Sequence, residues 1–295
     1  MNPGILIGMG AFTLWGLLPL FWKLLQGTPA EEILAHRMVW SLLFFLILIA
    51  ITKSWKGFQE IKNSPKILIQ YGASGILISF NWFIYIWSVL NGYVVEASLG
   101  YFINPLVAVL LSVIFLKERL RPAQIGAISL AFIGVLYLTF IYGRLPWRGL
   151  ILAFSFSFYG LVKKGVKLPS IHGMAVETGF QFIPALSFLL YLGLNSKGSF
   201  TLTQPNYVLL FILSGAVTGL PLLMFSVAAR KISLSQLGIL QYIAPSLQLF
   251  IGVLVYNEEF PQNKLIGFCL IWLAVIIYTT ENVMNYRRKK RVPAS

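Results

Sequence analysis

The stretch EASLGYFINPLVAVLLSVIFLKERL, residues 96–120, decides the fold of this chain. Most of it is apolar, and it is long enough to cross the roughly 30 Å of hydrocarbon that about 20 helical residues can span. Inside the run it carries Tyr101, Asn104 and Pro105, and it ends on charged residues. The same design returns in the second half of the chain as LSQLGILQYIAPSLQLFIGVLVYNEEF, residues 234–260. The stretch therefore predicts a membrane-spanning helix that occurs twice.

One constant shift in numbering aligns much of the first half of the chain with the second half. This repeat shift places Pro105 on Pro245 and, without a gap, Glu118 on Glu258. Further identical pairs under the repeat shift are Ser74 with Ser214, Gly75 with Gly215, Ile103 with Ile243, Val113 with Val253 and Thr139 with Thr279. We therefore expect two repeats, residues 1–142 and 143–282, followed by a basic cytoplasmic tail at residues 283–295.

The composition indicates a protein that lies in the lipid bilayer. Hydrophobic residues make up 58% of the 295 residues, only 11% are charged, and the sequence contains no aspartate. A soluble domain would carry about a quarter charged residues. Repeated apolar runs of about 20 residues are typical of proteins that cross the membrane several times. We therefore expect an all-α integral membrane protein.

The net charge of +14 does not indicate a nucleic-acid partner, because the basic residues sit in short links between apolar runs. A nucleic-acid surface would gather them on one groove-sized face. The single cysteine, Cys269, excludes a disulfide framework or a thiolate metal cluster within one chain. We expect neither a metal nor a cofactor.

Ten apolar segments predict ten transmembrane helices. The first five are residues 4–25, 33–52, 67–91, 94–116 and 122–142. The second five are residues 145–164, 174–193, 207–230, 234–256 and 263–281.

The distribution of Lys and Arg among the links predicts that both termini are cytoplasmic. With the N-terminus inside, the outer links hold only four basic residues, namely Arg144, Arg148, Lys197 and Lys264. The inner links and the tail hold most of the rest, which is the bias that sets membrane orientation. Because each repeat contains five helices, an odd number, the second repeat must be inverted relative to the first.

Inverted repeats are a recurring architecture of secondary transporters, which open a central site alternately to each side. We therefore predict a permease that moves a small organic solute across the membrane by alternating access. The sequence contains no catalytic triad and no phosphate-binding loop, so we do not expect an enzyme. Two alternatives stay open: an uncoupled facilitator or channel, and a membrane-embedded enzyme. Monomer and homodimer also both stay open.

Polar faces on the helices supply the candidate substrate-binding residues. Positions i, i+4, i+7 and i+11 share one face of a helix, and polar groups in mid-membrane tend to face a bundle interior or a water-filled cavity. The polar candidates on or beside such faces are Asn81, Tyr101, Asn104, Gln241 and Gln248. The aromatic residues Trp15 and Tyr159, which match each other in helices one and six, are candidates for a stacking wall against the substrate. Pro105 and Pro245 are candidate helix kinks at matching levels of the two repeats. Helix packing is the alternative interpretation of small and polar positions.

Ionisable residues near the helix ends are the remaining candidates. Glu96 begins the fourth span, Glu177 begins the seventh, and Arg37 lies near the start of the second. One interpretation is structural pairing, for example of Arg37 with Glu31 or Glu32. The other is that Glu96 or Glu177 binds a substrate cation or a coupling proton.

Several segments together resemble the EamA-domain permeases of the drug/metabolite transporter superfamily, and within them the RarD group. The segments are EILAHRMVWS (32–41), NWFIYIWSV (81–89), EASLGYFINPL (96–106), KERL (117–120), ETGFQFIPAL (177–186), GLPLLMFSVAAR (219–230) and LGILQYIAP (237–245). The resemblance covers nearly the whole chain up to residue 282. It implies two five-helix EamA repeats, an inner-membrane location and export of small organic molecules. It also implies a cavity surrounded by helices one, three, four, six, eight and nine, with helices five and ten at the periphery.

Overall fold

The computed structural model describes residues 3–59, 65–117, 119–163, 168, 170–200, 205–232 and 240–291. These residues form ten α-helices, and no strand occurs among them. The first five are α1 (Pro3–Lys23), α2 (Ala30–Ile51), α3 (Pro65–Leu90), α4 (Val94–Leu116) and α5 (Pro122–Tyr142). The second five are α6 (Trp147–Lys163), α7 (Ser170–Leu194), α8 (Pro205–Lys231), α9 (Ile243–Phe250) and α10 (Gln262–Arg291). The 3-10 turn Trp55–Phe58 follows α2, and the π-helical turn Ile251–Val255 extends α9.

Eight of these helices are long and apolar enough to cross a membrane: α1 to α5, α7, α8 and α10. The combined segment Ile243–Val255 is apolar but shorter. Helix α6 has 17 residues and carries charged side chains near both ends. The all-helical fold predicted from the sequence is therefore confirmed, and eight of the ten expected spans are matched by suitable helices. The start of the predicted ninth span, residues 234–239, lies outside the described residues.

The side chains that face outward are those expected next to lipid. Phe140, Ile183 and Leu254 are 82%, 71% and 70% exposed, whereas Ser74, Asn81 and Ser214 are fully buried. A soluble protein would place such large apolar side chains inside. The polar groups of this chain therefore concentrate between the helices, which is where a membrane protein can satisfy them.

The ends of corresponding helices in the two halves have the same backbone geometry. Lys117 follows α4 with φ 54°, and Asn257 follows the π-helical turn after α9 with φ 51°. Lys53 after α2 and Ser196 after α7 are likewise left-handed, with φ 51° and 54°. A left-handed residue is a common way to end a helix, because it lets the last carbonyls find donors. These four are the non-glycine residues with positive φ in the described part of the chain.

Helix contacts also come in matched pairs when helix n is exchanged for helix n+5. Helix α1 packs on α8 and α9, and α6 packs on α3 and α4. Helix α2 packs on α8, and α7 packs on α3. Two further large contacts, α2 with α7 and α5 with α10, each join a helix to its own equivalent, so the exchange leaves them unchanged. Most of the packing therefore joins one half of the chain to the other.

Glycines allow the closest of these crossings. A side chain at Gly100 of α4 would collide with the backbone of Gly149 in α6, and a side chain at Gly149 would lie 2.8 Å from the carbonyl oxygen of Glu96. Similarly, a side chain at Gly215 of α8 would strike the backbone of Trp40 in α2. Small residues are the usual means by which membrane helices approach each other closely. The α4–α6 and α2–α8 contacts therefore depend on the absence of Cβ atoms.

We expect Gly100→Ala to lower the melting temperature of the purified protein markedly, because the added Cβ meets backbone that cannot rotate away. Gly126→Ala in α5 is the matched control, since a Cβ there meets no atom within 4 Å and alanine favours helix by up to about 1 kcal/mol. Thermal unfolding in detergent measures both variants. Equal stability of the two would show that the α4–α6 contact is looser than described.

Candidate functional site

A small cavity lies where helices from both halves meet. It is narrow, with room for about one water molecule, and reaches about 320 Å³ only when the open mouth is included. The wall consists of Ser41 and Phe45 of α2, Trp82 of α3, Tyr159 of α6, Met174, Glu177, Thr178 and Gln181 of α7, and Thr218 and Leu222 of α8. Polar and apolar side chains thus contribute equally to the wall.

Glu177 is the charged group of this wall. Its carboxylate accepts a hydrogen bond from Ser74 Oγ at 2.5 Å and one from Tyr159 Oη at 3.3 Å. Lys163 Nζ at the end of α6 lies 2.9 Å from Glu177 Oε2 and completes an ion pair. Glu177 is 5% exposed, so the ion pair and the two hydroxyl donors compensate for the loss of water around the carboxylate.

The helix that carries Glu177 is held by a contact that recurs in the other half. Gln181 is one turn further along α7, and its Nε2 donates to the carbonyl oxygen of Gly75 at 2.8 Å. Ser41 of α2 donates to the carbonyl oxygen of Gly215 at 3.5 Å. The repeat shift converts Ser41 into Gln181 and Gly75 into Gly215. The two halves therefore position their cavity-lining helices in the same manner.

Arg37 of α2 lies beside the same cavity. Its guanidinium carbon is 3.2 Å from the ring centre of Trp82, and its Nε donates to Thr218 Oγ1 at 2.8 Å. Both of these partners line the cavity. Among the described residues, no carboxylate forms an ion pair with Arg37, which is 3% exposed.

The pairing of Arg37 with Glu31 or Glu32 that the sequence suggested does not occur in the described residues. Glu32 instead accepts hydrogen bonds from the backbone N–H of Ser199 at 2.5 Å and from its hydroxyl at 3.0 Å, while Glu31 is exposed. These contacts tie the start of α2 to the loop after α7. Since α2 turns Arg37 away from Glu32 toward α3 and α8, the two charges do not meet.

Glu96 forms a buried ion pair at the start of α4. Arg148 Nη1 lies 3.0 Å from Glu96 Oε2, and the backbone N–H of Arg148 donates to Oε1, also at 3.0 Å. The guanidinium of Arg148 also stacks on the ring of Tyr93 at 3.5 Å. The carboxylate of Glu96 is therefore fully engaged in joining α4 to α6.

The sequence-predicted lining residues lie in several places. Tyr159 is part of the cavity wall. Tyr101 is half-buried, and its ring centre lies 5.7 Å from that of Tyr85. Asn81 is fully buried, and its amide donates to Ser155 Oγ and to the carbonyl oxygen of Leu152 in α6.

The others lie at helix contacts on the two sides of the bundle. Asn104 of α4 accepts a hydrogen bond from Ser157 of α6 at 2.7 Å. Gln248 of α9 donates to the carbonyl oxygen of Trp15 in α1 at 3.3 Å. Gln241 is half-buried just before α9. These residues join helices that the family resemblance places around the central cavity.

Both predicted kink residues are buried inside their helices. Pro105 lies in the middle of α4, and Pro245 is the third residue of α9. Helix α9 is also irregular beyond Phe250, where it changes to the π-helical turn. An interrupted helix of this kind is a common feature of transporter sites. Glu118, which the sequence pairs with Glu258, lies outside the described residues.

Glu258 closes the loop between α9 and α10 onto the start of α4. Its two carboxylate oxygens accept hydrogen bonds from the backbone N–H groups of Val94 and Val95, at 2.6 and 2.8 Å. A carboxylate at this end of a helix satisfies free N–H groups and opposes the helix dipole. Burial raises the pKa of Glu258 above its ordinary value, although these two N–H groups act in the opposite direction.

Sequence reasoning missed that Arg37 and Glu177 are equivalent residues in the two halves. The repeat shift, which was applied to other positions, relates these two residues as well. It also makes Lys23 the equivalent of Lys163 and Trp82 the equivalent of Leu222. Applied to the charged residues, the repeat shift would have indicated that two opposite charges occupy corresponding places on α2 and α7.

Comparison with known proteins gives a consistent result. The model of the EamA-like transporter family matches residues 2–140 and again residues 147–280. Protein RarD of Streptomyces exfoliatus is 45% identical over 289 residues, covering 98% of this chain and 92% of that protein. The uncharacterized transporter YojE of Bacillus subtilis (strain 168) is 46% identical over 294 residues, covering 98% and 97%. Protein RarD of Escherichia coli (strain K12) is 38% identical over 290 residues, covering 98% of each chain.

A solved crystal structure, described only as that of a protein, has the same fold. It is 20% identical to this chain, the TM-score is 0.60, and the match covers 94% of this chain and 96% of the other. Together with the apolar helices, these matches define a multi-pass protein of the bacterial inner membrane. The chain belongs to the EamA-like transporter family, as the resemblance predicted, and is a membrane transporter of the drug/metabolite superfamily.

We expect Glu96→Gln to lower the free energy of unfolding by about 3 kcal/mol, because it leaves the buried Arg148 without its counter-charge. Glu281→Gln is the matched control. It removes one partner of Arg121 in a more exposed ion pair, whose side chains are 33% and 19% exposed, so we expect a clearly smaller loss. Unfolding in mixed micelles measures both. A similar loss in the two variants would contradict the structural role of Glu96.

Proposed function

We propose that this chain is a secondary transporter that exports a small organic solute by alternating access. The observation that carries the proposal is the buried carboxylate of Glu177, which lines a cavity between helices of both halves together with Tyr159 and is bound by Ser74 and Lys163. Buried ionisable groups within membrane helices are costly and usually mark a substrate or ion pathway. The export direction follows the resemblance to the family.

We also propose that ten helices cross the membrane as two inverted five-helix repeats, with both termini in the cytoplasm. The matched helix contacts, the paired left-handed residues and the two separate matches to the family model support this arrangement. Helix α6 rises about 26 Å, so its terminal charged side chains can reach polar surroundings. The repeats would then form two similar half-gates on opposite sides of one site.

Labelling of single cysteines tests the inversion. Arg119 and Glu259 are exposed residues at equivalent places in the two repeats, and Cys269 is replaced by serine to remove the native thiol. In intact cells, a membrane-impermeant maleimide should label Glu259→Cys and spare Arg119→Cys, which reacts only after lysis. Labelling of both positions from the same side would exclude inverted repeats.

Within this scheme, Glu177 is the candidate site of the coupling proton. Its carboxylate forms an ion pair with Lys163 and accepts hydrogen bonds from the hydroxyls of Ser74 and Tyr159. The ring of Tyr71 lies 4.8 Å from Lys163 Nζ. A proton on Glu177 would weaken its attraction for Lys163 and release α6 from α7. Glu96, whose carboxylate is held by Arg148, is in our view a structural residue.

The first step of the functional test is a thermal-shift screen of purified protein against amino acids, amines and antibiotics, since a ligand that binds the folded state raises its melting temperature. A compound that binds is then measured in proteoliposomes. We expect Glu177→Gln to abolish uptake driven by a pH gradient while retaining exchange of labelled for unlabelled solute. The neutral amide can still accept a hydrogen bond from Ser74, but it cannot carry the proton.

Lys66→Gln provides the control for this experiment, because Lys66 is an exposed cation at the start of α3, outside the cavity wall. Its pH-driven uptake should match that of the wild type. Unchanged gradient-driven uptake by Glu177→Gln would remove Glu177 from the coupling mechanism. A solute flux through the wild-type protein that does not depend on the pH gradient would favour an uncoupled facilitator.

A further inference from the structure

Arg37 has no counter-charge in the described part of the chain. The four ion pairs found there involve other residues, and the hydrogen bond that Arg37 donates there runs from Nε to Thr218. The planar guanidinium has five N–H donors arranged to bind a carboxylate with two parallel hydrogen bonds. A buried cation inside a membrane helix without an acidic partner calls for a functional explanation.

The comparison with Arg148 shows how this fold satisfies an arginine that has a structural role. Both arginines are buried, at 3% and 4% exposure, and both lie over an aromatic ring at 3.2 to 3.5 Å. Arg148 binds Glu96 through its side chain and its backbone. Among the described residues Arg37 lacks the corresponding acid, so its aromatic contacts stabilise the cation but leave its fork of donors available to an anion.

Two tyrosines extend the set of donors around Arg37. Tyr85 and Tyr101 pack in the same cluster as Trp22, whose ring lies 6.0 Å from the guanidinium, and their own rings contact each other edge to face at 5.7 Å. Tyr85 is 4% exposed, and its hydroxyl finds no hydrogen-bond partner among the described residues. A buried hydroxyl without a partner is costly. This second, independent feature points to an acceptor that the described residues do not supply.

We propose that Arg37 and Tyr85 bind the carboxylate of the transported solute, with Tyr101 beside them. The inference rests on the proposed transport function and adds the substrate class, organic acids and zwitterions that carry a carboxylate. The rings of Trp22 and Trp82 flank the guanidinium at 6.0 and 3.2 Å and give the site an apolar wall. A carboxylate accepts hydrogen bonds from both kinds of donor that the site offers, the guanidinium of Arg37 and the hydroxyl of Tyr85.

Four compounds with the same phenyl ring test the assignment: phenylacetate, phenylalanine, phenylalaninamide and 2-phenylethylamine. The first two carry a carboxylate and the last two do not. We expect only phenylacetate and phenylalanine to raise the melting temperature of the purified full-length protein. In Arg37→Lys, which keeps the charge but loses the two-pronged geometry, the Kd of both should rise about tenfold or more. Tyr85→Phe should weaken binding by a smaller factor.

Arg148→Lys is the matched control, an equally buried arginine over an aromatic ring. Each variant is compared with its own ligand-free melting temperature, so that a loss of stability is separated from a loss of binding. The carboxylate-dependent shift should persist in Arg148→Lys. Equal shifts from phenylalanine and phenylalaninamide, no shift from either carboxylate, or an unchanged Kd in Arg37→Lys would each overturn the anion site.

Flux through proteoliposomes separates this inference from the transport function itself. Transport of a solute that lacks a carboxylate, at a rate that Arg37→Lys does not change, would overturn the anion site and leave the transporter intact. Carboxylate binding that depends on Arg37, without exchange of the bound compound across the membrane, would retain the site and remove the transport function.

Discussion

The cost of burying charge in an apolar bundle governs the interior of this protein. An ionised side chain loses several kcal/mol of hydration when it enters a membrane helix bundle, and only good partners recover that loss. The fold meets the cost in different ways. Glu96 and Arg148 neutralise each other and join α4 to α6. Glu177 gathers Lys163 and two hydroxyls beside a cavity. Arg37 rests on Trp82 without an acid among the described residues. The first solution is complete in itself, whereas the other two place charge in or beside the cavity wall.

The same constraint explains how much of the site the sequence could predict. Hydropathy and the repeat shift were sufficient for an all-helical membrane protein and for most helix boundaries, because lipid demands long apolar helices. The aromatic match between the repeats identified Tyr159, which does line the cavity. The α-helical period identified polar faces, but it does not reveal which helix lies opposite a face. The amides of the predicted lining residues Asn81 and Gln248 donate to α6 and α1, because close crossings bring those backbones within reach.

The partners of the charged residues could not be predicted from the sequence for a related reason. Neighbouring charges such as Glu32 and Arg37 looked like a local pair in the sequence, but a helix directs residues five positions apart to different sides. The loop after α7 supplies the donors for Glu32, and α8 supplies the acceptor for Arg37. Both contacts join positions that are far apart in the sequence, one in each half of the chain. They are set by how the two halves dock, which no local pattern in the sequence encodes.

The two halves arrange their helices alike but carry different charged side chains at equivalent positions. Lys163 and Glu177 attract each other in the second half, and the repeat shift places Lys23 and Arg37 at the corresponding positions of the first. Two cations cannot pair, so each turns to an aromatic ring, Lys23 to Tyr256 at 5.1 Å and Arg37 to Trp82 at 3.2 Å. One half therefore presents a neutral ion pair and the other a net positive site. Under the alternating-access scheme proposed above, the two half-gates would therefore carry different charges at equivalent places, although their helices are arranged alike.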